Sequence, residues 1–466
     1  MSVESHALGV LLPSFRGPEL PPAWARLLQD GLGGICLFGS NLTGSIGDAR
    51  ALTDAVRRAR PDALVAVDEE GGDVTRLHAR TGSPVLGAAQ LGAVDDLALT
   101  AAAGRAVAAD LVAAGVDLDL GPVADVNSNP DNPVIGTRSF GSDPIHVSRH
   151  VAAWTGALQA AGVAACVKHF PGHGSTAQDS HLTLPVIGAS AAEIRVRELP
   201  PFRAAVEAGV AAVMTSHIAV PALDPDLPAT LSTKVLGALR HELGYDGAIV
   251  SDALDMAGVS AGRGIPEAAV LALVAGADLL CVGPDKDPSL VREIQQAIVD
   301  AVRSGRLTEE RLADAVARTS RIRRPVPAEP VVGDVGTAMA EAARRALIVE
   351  RQVPNLTGAR VVTISTPANI AVGEVPWGIP PDVVVAPGAE LPAGPVVVQV
   401  RDAHRHPDVS AMLATLPEGA LVIEWGWPGP RTGWEDRQIA RICTRGSSRP
   451  VGAAVEEIVR KAGWHR

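Results

Sequence analysis

Aromatic residues are scarce. Phe, Trp and Tyr make up 3% of the 466 residues, with a single Tyr, so the cores must be built mostly of Ala, Val and Leu. Dense basic runs are missing and the formal net charge is −11. An acidic chain without a basic patch is poorly suited to nucleic acid or to an anionic membrane surface, and neither is expected as a partner. No apolar stretch approaches the roughly 20 residues of a membrane span, and Met1 to His6 do not form a basic segment leading into an apolar one, so no secretion signal is expected. Cysteine is limited to Cys36, Cys166, Cys281 and Cys443, widely scattered and without metal-ligand spacing. Three of them sit in apolar runs, where a free Cys behaves as a small hydrophobe. These absences leave the expectation of a soluble, reduced, cytoplasmic protein, with the oligomeric state open.

Apolar residues are plentiful, at 47% of the chain, and the length fits one large domain plus a smaller one. Short apolar runs at Ala7–Leu12, Gly34–Phe38, Leu64–Asp68, Val116–Leu120, Val163–His169, Ala211–Ser216, Ala248–Asp252 and Asp278–Val282 read as strands. Between them lie Ala-rich helical stretches such as Ala51–Arg60, Leu97–Ala114, His146–Ala161, Ala191–Ala208 and Ile265–Ala275. This alternation predicts a parallel sheet with crossover helices. Eight such units fit a (β/α)8 barrel over residues 1–324, although an open doubly wound sheet would give a similar pattern. Asp68, Asp125, His169, His217 and Asp252 all fall at or just beyond the C-terminal ends of these strands. A barrel converges those ends on one mouth, which favours the barrel. Three prolines in six residues, from Pro325 to Pro330, mark 325–334 as a stiff linker. Beyond it, a helix over Val335–Glu350 and strands at Arg360–Ile364, Val383–Ala386, Val396–Val400 and Ala420–Glu424 predict a smaller α/β domain over 335–466. Five of the seven Trp lie there; their faces can stack on sugars, but packing is the weightier reading.

The densest chemistry is Lys168-His169-Phe170-Pro171-Gly172-His173-Gly174-Ser175-Thr176-Ala177-Gln178-Asp179-Ser180-His181, directly after the apolar run Val163–Val167. A structural loop would hold one or two of these groups, not all of them. Asp179 and His181 are one residue apart, so in an extended segment both can face one side. An Asp accepting from one imidazole nitrogen supports a protonated ring at the other, which makes a general acid/base unit. Gly172-His173-Gly174 reads as a flexible hinge for it. A divalent ion on His169, His173, Asp179 and His181 is the competing reading. Lys168 would repel it, and no rigid helix fixes the ligand spacing, so no metal is expected. Asp252 ends a strand, where a carboxylate can be a nucleophile, a base or simply a helix cap.

These residues resemble the KHFPGHGxxxxDSH signature of glycoside hydrolase family 3, in its β-N-acetylglucosaminidase branch. Four further segments agree in order: Asp68 to Arg76 (DEEGGDVTR), Asn132 to Phe140 (NPVIGTRSF), Met214 to Ile218 (MTSHI) and Ser251 to Met256 (SDALDM). The resemblance spans about residues 5–325 and implies a barrel. It implies Asp252 as the nucleophile and Asp179 with His181 as the acid/base dyad. It also implies Asp68, Arg76, Arg138, Lys168 and His169 as the subsite for the terminal sugar, with no cofactor. Two displacements at one carbon give net retention. The implied activity is exo-hydrolysis of terminal β-linked GlcNAc from small oligosaccharides, namely peptidoglycan or chitin fragments, with peptidoglycan recycling slightly favoured. A His–Asp dyad carries less negative charge beside the leaving group than a lone carboxylate, so a phosphorylase using the same residues is an alternative. A β-glucosidase and a catalytically silent sugar-binding protein are weaker ones. Asp73 stands where the family often has a basic residue, which points to altered contacts beyond the first sugar.

Overall fold

The computed structural model describes residues 2–178, 184–322, 335–367, 369, 371–373 and 375–465. Eight parallel strands form the first sheet: β1 (Leu11–Pro13), β2 (Gly34–Leu37), β3 (Leu64–Val67), β4 (Leu118–Asp119), β5 (Ala164–Phe170), β6 (Ala212–Thr215), β7 (Ala248–Ser251) and β8 (Leu279–Gly283). Neighbours pair in sequence order from β2 to β8, and β1 pairs with β8, so the ring is nearly closed. At the seam between β1 and β2 the Gly33 amide donates to the Leu8 carbonyl at 2.9 Å. A Cβ on Gly33 would lie 2.3 Å from the Gly9 carbonyl oxygen, so only glycine admits this approach.

Strand alternation fills the ring. Leu64 and Ala66, Leu118 and Leu120, Ala212 and Met214, Ala248 and Val250, and Leu279 and Cys281 pack inward with Leu12, Cys36 and Cys166. The shortage of aromatics therefore reaches the innermost layer. All four cysteines are free and buried. The helix Leu97–Ala114 is capped by Asp96, whose side chain accepts from Ala98 and Leu99, and ends at left-handed Gly115. By length and composition it is apolar enough to cross a membrane, in contrast to the expectation that no apolar stretch approaches a span. Here its Leu99, Ala103, Val107 and Leu111 are buried in the barrel's outer layer.

Three expected elements differ. Ala7–Gly9 close the helix Val3–Gly9, and the strand begins only at Leu11. The expected helix Ala191–Ala208 is two, Ala191–Arg197 and Leu199–Glu207, because Pro200 and Pro201 cannot donate backbone hydrogen bonds within a continuing helix. Val335–Glu350 is a helix only to Ala346, with β9 (Ile348–Glu350) following. The expected linker falls within 323–334, outside the described residues.

The C-terminal sheet adds β10 (Arg360–Ile364), β11 (Val383–Val385), β12 (Val396–Val400), β13 (Leu421–Glu424) and β14 (Ala440–Cys443). Its order is β9-β14-β13-β12-β10-β11, parallel except for the β9–β14 pair. Trp425, Trp434 and Trp464 are buried in this unit, which is the packing role. The two units are bolted together at the barrel mouth. Gln90 Nε2 donates to the Gly446 carbonyl at 2.7 Å, and His404 Nε2 lies 3.0 Å from the Pro130 carbonyl.

Candidate active site

The C-terminal ends of the barrel strands open into a cavity of about 400 Å³. Its lining includes Asp68, Arg76, Arg138, Lys168, His169 and Asp252, so all six described residues expected at the site meet there. Asp179 and His181 lie outside the described residues.

Lys168 is buried at the end of β5. Its Nζ is 2.6 Å from Asp68 Oδ1 and 2.6 Å from Glu70 Oε1. Arg138 grips Glu70 with two nitrogens, Nε at 2.9 Å and Nη2 at 2.7 Å. Such bidentate pairing fixes direction as well as charge. Burial pushes the Glu70 pKa up, but Arg138 and Lys168 outweigh it and hold the carboxyl far below the usual carboxylate range. Burial likewise opposes the Lys168 charge, and Asp68 and Glu70 overcome that and raise its pKa. Glu70, Lys168 and Arg138 therefore stay ionised through the neutral range, and with Asp68 they present fixed donors and acceptors to a hydroxylated ligand.

His169 is held by Asp125, with Nδ1 2.6 Å from Oδ2. Asp125 Oδ1 also accepts the His173 amide at 2.7 Å. Burial raises the Asp125 pKa, but His169 and His173 together outweigh it and the net shift is downward. The His173 ring is pushed down to about 4, chiefly by burial, with His169 adding to the effect against the pull of Asp125. Its Nδ1 lies 2.9 Å from the Thr176 hydroxyl.

Asp252 stands one residue past β7, and its Oδ1 accepts the Ala253 amide at 2.8 Å. His217 braces the same turn: its Nε2 lies 3.0 Å from the Ala253 carbonyl and its Nδ1 2.9 Å from Thr230 Oγ1. Asp255, paired with Lys286 at 2.7 Å, completes the neighbouring wall.

The expected hinge at Gly172-His173-Gly174 is a packed segment instead. A Cβ on Gly174 would lie 1.9 Å from the Val126 carbonyl oxygen, and one on Gly172 would lie 2.6 Å from Glu198 Oε2. Asn132 Nδ2 further holds the His173 carbonyl at 2.9 Å. These glycines permit close approach, which is a different use of the missing side chain. Asp73 faces the C-terminal domain, bonded to Ser447 and Arg401, and does not line the cavity.

Glu70 stands inside the DEEGGDVTR segment and Asp125 just past a strand end, and neither was among the residues expected to hold the sugar. A signal existed for Glu70: it is two residues from Asp68, so in extended backbone both face one side. Intervening Glu69 turns the other way and accepts the Arg76 and Leu77 amides at 2.8 and 2.9 Å. Among the described residues, Asp95, His146 and His150 come close enough together to hold a metal ion. Arg149 Nη2 already lies 3.1 Å from Asp95 Oδ1 and 3.3 Å from His146 Nδ1, so a guanidinium occupies that position.

Residues 23–322 match the model of the glycosyl hydrolase family 3 N-terminal domain. The chain is 33% identical to β-hexosaminidase A of Pseudoalteromonas piscicida over 66% of this chain, and spans 56% of that protein. It is 40% identical to the β-hexosaminidase of Alkalilimnicola ehrlichii over 299 residues, 62% of this chain and 84% of the relative. The solved family 3 β-N-acetylglucosaminidase from Paenibacillus sp. str. FPU-7 superposes with a TM-score of 0.87 at 30% identity, covering 99% of this chain and 97% of that one. A family match over well more than half the chain, with the barrel mouth built as described, means that the chain belongs to glycosyl hydrolase family 3.

Proposed function

We propose that this chain is a retaining exo-β-N-acetylglucosaminidase that releases terminal β-linked GlcNAc from small oligosaccharides. The observation that carries the reading is the meeting of Asp252 with the Asp68–Lys168–Glu70–Arg138 cluster in one cavity sized for a sugar. Carboxylates accept from sugar hydroxyls, while the ammonium, guanidinium and imidazole groups donate to them. In this reading Asp68, Arg76, Arg138, Lys168 and His169 form the terminal-sugar subsite.

Asp252 is the nucleophile. With Oδ1 held by the Ala253 amide, it attacks the anomeric carbon and forms a glycosyl ester as the aglycone leaves. His181, oriented by Asp179, protonates the departing oxygen and then takes the proton of the incoming water. Water attacks the ester from the face the aglycone left, so configuration is retained. The natural substrates in this reading are imported peptidoglycan or chitin fragments in the cytoplasm, with peptidoglycan recycling favoured. Four free, buried cysteines are compatible with that reducing compartment.

The test is turnover of p-nitrophenyl β-GlcNAc and p-nitrophenyl β-glucose, each with and without phosphate, with the sugar product identified. Free GlcNAc at a rate indifferent to phosphate is the expected result. GlcNAc 1-phosphate at a rate that rises with phosphate would make the enzyme a phosphorylase, and preference for the glucoside would overturn the sugar assignment.

A further inference from the structure

The Alkalilimnicola β-hexosaminidase aligns over 299 residues, too few to include both domains of this chain. What the C-terminal domain adds here is visible at Arg76. Its guanidinium donates to two carbonyls of the C-terminal domain, Ala371 at 2.7 Å and Val372 at 3.0 Å. Asn369 pins the same stretch from the other flank, its Nδ2 donating to the Pro133 and Val134 carbonyls at 2.8 and 3.1 Å. Asn369 Oδ1 accepts the Ala371 amide at 2.9 Å. Val372 packs with Val74, and Ala371 packs on Val123, Val134 and Ile135. Ala371 also lines the cavity.

All these barrel partners come from the loops after β3 and β4, whereas Asp252 follows β7. In an eight-stranded ring, β3 and β7 lie opposite one another. A sugar whose anomeric carbon meets Asp252 therefore points its far, non-reducing end towards Ala371. We infer that Ala371, held by Arg76 and Asn369, is a specificity-determining wall by which the C-terminal domain limits this site to a single sugar and enforces exo-action. The inference rests on the reading of the cavity as a terminal-GlcNAc site.

The test uses the full chain and two variants, Ala371→Leu and Asn369→Ala. Free GlcNAc is the probe, because as an inhibitor it fills only the terminal-sugar site. Overfilling the wall in Ala371→Leu raises both its inhibition constant and the KM for p-nitrophenyl β-GlcNAc by about tenfold, with kcat little changed. Asn369→Ala adds no bulk and frees the wall, so intact chitobiose appears from p-nitrophenyl β-chitobioside, where the wild type releases GlcNAc alone. An unchanged inhibition constant in a folded Ala371→Leu protein, or chitobiose release by the wild type, overturns the inference. A wild type inert towards every GlcNAc glycoside overturns the functional reading instead, and the inference falls with it.

Discussion

Asp73 of the barrel receives both the amide and the hydroxyl of Ser447 on one carboxylate oxygen, at 2.8 and 2.7 Å. Arg401 of the C-terminal domain reaches the same oxygen, and the Thr137 hydroxyl donates to the other at 2.6 Å. This carboxylate is a joint between domains. Its removal leaves Arg401 poorly compensated, and breaking a buried pair from one side costs about 3–5 kcal/mol. Asp73→Ala is therefore expected to lower the chemical denaturation midpoint strongly, with Asp73→Asn losing less. A loss under about 1 kcal/mol, the range of exposed ion pairs, would show that the joint is not structural.

Gly174 makes a sharp distinction between packing and hinge motion. With the Val126 carbonyl oxygen 1.9 Å from where a Cβ would sit, Gly174→Ala must displace backbone on one side or the other. Turnover is expected to fall at least about tenfold, since small displacements of positioned groups are costly. A hinge that merely stiffened would show a mild change, and steady-state kinetics of the variant decides between the two.

Two imidazoles set a pH dependence of stability. His173 and His150 are both pushed down to about 4, in each case chiefly by burial. The unfolded chain protonates histidine near 6.5, so between about pH 6.5 and 4 it binds protons the folded chain refuses. Stability must then fall as the pH drops through that window. His150 lies away from the cavity, its Nδ1 2.8 Å from the Thr100 hydroxyl and its ring stacked on Phe140. His150→Gln should flatten the slope of stability against pH by about one proton. A slope identical to wild type would contradict this.

Much of this architecture was legible in the sequence because period and punctuation agree. Leu97–Ala114 and Ile265–Ala275 match their observed helices, and seven of the eight strand runs fall on the observed barrel strands. Ala7–Leu12 was half helix because a short apolar run has no period of its own. Ala440–Cys443 was missed because Arg441 breaks the apolar run; its guanidinium is neutralised by Glu350 on the neighbouring strand at 2.8 Å, a partner 91 residues away. At the cavity, Asp68, His169 and Asp252 were marked by their strand ends and Lys168 by the charged run that follows Val163–Val167, whereas Arg138 was implied only by the family resemblance. The second use of Arg76 was not legible, because the carbonyls it holds belong to a domain nearly 300 residues downstream.

The acid role proposed for His181 has a kinetic signature. His181→Ala should lose turnover of glycosides with poor leaving groups, which need protonation, by about 100-fold or more. It should largely spare dinitrophenyl glycosides, whose phenolate departs unaided. Equal losses on both would remove the acid role.

The most direct measurement is to trap the intermediate with a 5-fluoro N-acetylglucosaminyl fluoride, digest the protein and locate the added sugar by mass spectrometry. The account predicts one sugar esterified to Asp252. An inactivated enzyme carrying its sugar on another residue, or steady turnover through Asp252→Ala, would contradict it.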